Sequence, residues 1–114
     1  MAGTIITEKP LAQYRPSTTD AVGIYSPDTG VIGIIKTIII ANTTATDQTY
    51  QLFLDIDGSD YSASTYIGSL NTTVLANRAE YVHTYLPMNS SSNFAVQANT
   101  ANAITFSVFG VEIK

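Results

Sequence analysis

The sequence predicts an all-β domain: an antiparallel β-sandwich or jelly roll of about seven to eight strands, preceded by an extended N-terminal arm. Three observations predict it. Apolar and polar residues alternate with period two over seven short stretches. Clusters of Gly, Pro, Asn, Asp, Ser and Thr separate those stretches. No ten-residue window carries a convincing helical period.

Residues 1–19 read as the arm and residues 20–114 as the sandwich domain. Pro10 and Pro16 hold the residue before each in extended conformation, which favours an arm over a helix. Ile5, Ile6, Leu11 and Tyr14 are its candidate docking anchors, and a frayed terminus is the alternative. Strands are expected over residues 21–26, 33–42, 48–56, 64–70, 78–86, 93–99 and 103–113. Turn signals lie between them, at Pro27-Asp28-Thr29-Gly30, Asp57-Gly58-Ser59-Asp60, Asn71-Thr72-Thr73 and Pro87-Met88-Asn89-Ser90, for example. The segment around Leu75 to Tyr81 allows one helical turn. In the last stretch Ile104, Phe106 and Val108 share one face, and then Phe109, Val111 and Ile113 take over beside Gly110, which predicts a bulge or bend there.

The segment from Val31 to Asn42, Val-Ile-Gly-Ile-Ile-Lys-Thr-Ile-Ile-Ile-Ala-Asn, carries the most information about function. As a strand it is apolar on both faces, with Ile34, Ile38 and Ile40 on one and Ile35, Thr37 and Ile39 on the other. A two-layer sandwich buries one face in its own core. The second needs another cover, and a neighbouring subunit is the simplest. Ile35, Thr37 and Ile39, with the aromatic row Tyr81, His83 and Tyr85, are therefore the expected oligomer or partner interface.

Composition closes several other routes. Charged residues make up 12% of the chain against about 25% in an ordinary domain. Polarity comes instead from 16 Thr, 10 Ser and 7 Asn, groups that solubilise a sheet with little net field. The net charge is −4, and Lys9, Arg15, Lys36, Arg78 and Lys114 are scattered, so no cluster exists to neutralise phosphates or anionic lipid. The absence of Cys rules out disulfides and thiolate metal sites. The first residues have neither the basic nor the apolar region of a signal peptide, and no apolar run is long enough for a membrane helix, so synthesis in a cytoplasm is expected.

Candidate chemistry is sparse, and no cofactor is expected. Asp55, Asp57 and Asp60 could hold a hard cation through oxygen ligands, or could simply shape a strand-ending turn. They do not match an EF-hand, because Gly58 comes fourth rather than sixth. His83 is the single histidine and has no Cys, second His or Gly-x-Ser-x-Gly elbow to work with, which argues against an enzyme. The row of Tyr81, His83 and Tyr85 could stack on a sugar, or could pack against a subunit. Asn42, Asn71 and Asn89 fit the N-glycosylation pattern and, with no signal peptide, read as turn residues.

The run Ile34 to Thr44, the segment Tyr50-Gln51-Leu52-Phe53-Leu54-Asp55-Ile56-Asp57-Gly58, then Tyr85-Leu86-Pro87-Met88-Asn89 and the run Ala103 to Ile113 together resemble small virion structural proteins of tailed bacteriophages. The resemblance implies a β-sandwich that oligomerises on the particle. Capsid cement, or decoration, proteins of this kind are often homotrimers set over capsomer junctions of the major capsid protein. Tail, neck and fibre proteins share the architecture, and a glycan or receptor role would belong to those.

Overall fold

The computed structural model describes residues 4–67 and 72–114. Eight strands follow one another: β1 (Ile6–Tyr14), β2 (Val22–Tyr25), β3 (Ile32–Asn42), β4 (Gln48–Asp55), β5 (Thr72–Val74), β6 (Ala79–Met88), β7 (Asn93–Ala98) and β8 (Ile104–Ile113). A single 3-10 turn, Ala63–Thr65, lies between β4 and β5. The strands form two four-stranded sheets, ordered β1-β8-β3-β6 and β2-β7-β4-β5, and every pairing is antiparallel. This is the jelly-roll form of the sandwich the sequence predicts.

The core lies between the sheets. Ile35, Ile38 and Ile40 of β3 and Ile104, Phe106 and Val108 of β8 meet Tyr50 and Leu52 of β4 and Phe94 and Val96 of β7. Tyr50 meets Phe106 edge to face, with ring centroids 6.1 Å apart and planes at 71°. Side chains of this size contribute about 1.5–3 kcal/mol each when fully buried, so β3 and β8 carry much of the stability.

Several expectations need correction. Most of the supposed arm is a strand of the sandwich: β1 pairs with β8 from Ile6↔Ile113 to Tyr14↔Phe106. Pro10 is accommodated because β1 is a sheet edge, where a missing N–H breaks no ladder bond. Leu11 and Tyr14 pack on the chain's own core, and only Ile5 and Ile6 remain widely exposed. The stretch expected as a strand over residues 64–70 begins instead with the 3-10 turn, closed by a capping box between Ser62 and Thr65, and Tyr66 makes one bridge to Phe53. Its last residues, 68–70, lie outside the described residues, as does Asn71. Thr72 and Thr73, expected in a turn, belong to β5. Around Leu75, a turn with Asn77 at φ 56° leads directly into β6 in place of a helical turn.

A further correction concerns the bulge. Alternation along β8 runs on without a break: Val108 faces the core, Phe109 and Val111 face out, and Glu112 turns in to the Tyr25 hydroxyl at 2.7 Å. The irregularity sits in the neighbouring strands. Between Ile35 and Thr37, β3 inserts Lys36 relative to β8, and between Pro10 and Ala12, β1 inserts Leu11. Gly110 is what permits it, since a Cβ there would stand 1.9 Å from the Ile34 carbonyl oxygen. One inserted residue reverses the facing of everything before it. Ile35 is therefore fully buried in the core, away from the surface that holds Thr37 and Ile39.

Candidate functional site: an uncapped sheet face

The two sheets treat their outer faces differently. On the β2-β7-β4-β5 sheet, Phe53 and Ala95 point away from the core cluster, yet they are 1% and 0% exposed. The chain covers them itself. The segment joining β4 to β5 lays Tyr61 and Tyr66 over Phe53, with ring centroids 6.2 and 4.9 Å away. Gly23 leaves room for that cover, because a Cβ there would meet the Tyr61 hydroxyl at 2.4 Å. The rest of this face is polar, a shallow hollow lined by Thr19, Thr49, Gln97 and Asn99 among others.

The outer face of the β1-β8-β3-β6 sheet is apolar, and no described segment lies over it. Strand register arranges it in rows across the sheet. Ile6, Ile113 and Ile32 form the first; Glu8, Val111, Ile34 and Pro87 the second; Pro10, Phe109, Thr37 and His83 the third; Gln13, Ser107, Ile39 and Tyr81 the fourth. Tyr85 stands beside the inserted Lys36. Tyr81 and Tyr85 are each 63% exposed, Ile6 65% and Phe109 38%. In these rows the one carboxylate is Glu8. Val111 and Ile34 lie within these rows yet are 5% and 7% exposed, so the apolar surface open to water is that of Ile6, Ile32, Tyr81, Tyr85 and Phe109, and exposed apolar patches mark interaction sites.

The structure thus brings together Thr37, Ile39, Tyr81, His83 and Tyr85 of the expected interface and places Ile35 elsewhere. It adds Phe109, Val111, Ile32 and Ile34, which reading strands one at a time missed. The signal was present in β8, where the apolar residues change face beside Gly110. The register with β3 turns that change into a patch.

The remaining candidates have local roles. The Asp55 carboxylate accepts the backbone N–H groups of Asp57 at 3.1 Å and Asp60 at 2.7 Å, and these donors hold it below the usual carboxylate range. Asn93 donates to the Gly58 carbonyl at 2.6 Å and Thr65 to that of Asp60 at 2.6 Å. Asp55 is thus engaged in closing the turn, and no group of three potential metal ligands occurs among the described residues. His83 approaches the Thr37 hydroxyl at 3.4 Å through Nδ1, and no carboxylate is seen to orient its ring among the described residues. Asn42 is buried, with its amide nitrogen donating to the carbonyls of Thr46, Val74 and Leu75 and its oxygen accepting from Thr44.

No protein-family model matches the chain, and no curated protein matches it in sequence. Solved structures do match. A chain in the structure of infectious bursal disease virus, Gx strain, superposes over 98% of this chain at 10% identity, with a TM-score of 0.53. The fold is shared with a chain of that virus structure. The present chain spans only 33% of that larger one. Two structures of Tobacco streak virus coat protein, one of them a dimer, each align with 97% of this chain and 84% of their own at 11% identity, with TM-scores of 0.45 and 0.46. These structures are of viruses other than the tailed bacteriophages whose virion proteins the sequence resembles, and at such identities the likeness is one of fold.

Proposed function

We propose that this chain is a structural component of a virus particle, and that it acts as a cement or decoration protein that reinforces a shell built by a separate major capsid protein. The observation that carries this reading is the uncapped face of the β1-β8-β3-β6 sheet, on a fold shared with a chain of a virus structure. Burial is worth about 25 cal/mol per Å2 of apolar surface, so covering several hundred Å2 would bind the chain firmly to a partner. Its partners in this role are further copies of itself and the shell. The polar face of the other sheet would look outward to water.

A second reading has one observation in its favour. The Tyr81 and Tyr85 rings are 63% exposed on one strand, a spacing that suits stacking on a saccharide in a tail, neck or fibre protein. Quantitative mass spectrometry of purified particles separates the two. Hundreds of copies per particle support the cement role, whereas about three to twelve support a tail, neck or fibre position. Absence of the chain from the particles would refute both.

A further inference from the structure

The uncapped face has a ridge on one side and a hollow on the other. The ridge is Tyr81 and Tyr85 on β6. The hollow, about 440 Å3, is lined by Phe109, Gly110 and Val111 and rimmed by Glu8 and Lys36. A cavity of about 150 Å3 already holds a benzene ring, so an aromatic side chain fits. Strands β1 and β6 are the two edges of this sheet, with β8 and β3 between them. A two-fold axis parallel to the strands and lying over β3 exchanges β6 with β8. It sets the ridge of each copy over the hollow of the other, the reciprocity an isologous interface requires.

We propose that a second copy of this chain covers the face, with the two β1-β8-β3-β6 sheets stacked across such an axis and Tyr85 of each copy seated against Phe109 of the other. Sheets stack face to face at about 10 Å with strands within about 30° of alignment. The rim is chemically matched to tyrosine. Glu8 supplies an acceptor for the hydroxyl, the pairing this chain already uses inside itself at Tyr25–Glu112 (2.7 Å) and Tyr50–Glu80 (2.8 Å). Lys36 supplies a cation beside the electron-rich ring. The proposal departs from the homotrimer that the bacteriophage resemblance implies and does not depend on the virion role.

The test is light scattering of the purified chain at about 100 µM with four variants. The wild type is expected at twice the 12.2 kDa chain mass. Tyr85→Lys and Phe109→Glu each replace an exposed side chain, so both should fold, and each should weaken self-association about tenfold or more. Combining them sets lysine against glutamate across the axis and should restore association to within about threefold of wild type. Glu8→Lys, which removes the hydroxyl acceptor without touching an aromatic ring, should also weaken the dimer. A monomeric or trimeric wild type, a dimer indifferent to Tyr85→Lys, or a double variant no better than the singles each overturns the proposal. Failure to find the chain in particles would leave it standing, because nothing in this experiment involves a particle.

Discussion

At the scale of single residues, the buried side chains of Asn42, Asp55 and Ser92 are hydrogen-bonded within the chain, which helps a chain with few charges keep one fold. Asn42 is 2% exposed and uses both its amide and its carbonyl oxygen on the loops around β5. Its place in an Asn-Thr-Thr sequence suggested a surface turn. The turn is there, yet the side chain points inward as a cross-brace, a role that appears only once β5 is alongside. Asn42→Ala removes the donor to three carbonyls and the acceptor of the Thr44 backbone N–H. It should lower unfolding free energy by about 2–3 kcal/mol in urea titrations. Glu112 shows the same economy. The Tyr25 hydroxyl, and then the half-exposed Lys9 at 3.0 Å, hold its carboxyl below the ordinary glutamate range. A depressed carboxylate stabilises the fold above the unfolded-state pKa and loses that contribution as pH falls through the folded one. Glu112→Gln should thus be most destabilising above about pH 5, with the gap to wild type closing on acidification. A gap that stays constant down to pH 3, measured by thermal melting, would show that the charged form contributes nothing.

At the scale of elements, alternation and turn chemistry made most strands legible, including β3, β4, β6, β7 and β8 to within a few residues. What escaped depended on long-range pairing. Pro10 made β1 look like a free arm, because one strand read alone cannot show that it lies at a sheet edge. β5 has only three residues, too few for a period. Ile35 was placed on the wrong face because one inserted residue, Lys36, reverses the alternation, and the cause lies in the neighbouring strand. There Gly110 lets the Ile34 carbonyl come close. Gly110→Ala drives a methyl into backbone that cannot move away and should cost about 3 kcal/mol or more in unfolding free energy. Because the insertion sets the facing of the patch, the same variant should also disturb self-association.

At the scale of the whole molecule, the asymmetry between the two outer faces is the central finding. Where an apolar side chain faces out on one sheet, the chain spends its longest connection covering it with Tyr61 and Tyr66. On the other sheet no described segment covers Tyr81, Tyr85 and Phe109, which stay exposed. The sequence disclosed this in outline, since a strand apolar on both faces needs two covers, but not which residues complete the surface or where Ile35 goes. Ile39→Asp sets a carboxylate in the middle of the patch without entering the core. It should abolish self-association while leaving the monomer folded, as judged by light scattering beside circular dichroism.

The most direct measurement is a cryo-electron microscopy reconstruction of particles carrying the chain. The expected map shows the β1-β8-β3-β6 face of every copy covered by protein, with Tyr81, Tyr85 and Phe109 out of contact with water. A map in which that face looks into solvent, while the polar β2-β7-β4-β5 face makes the contacts, would contradict the account.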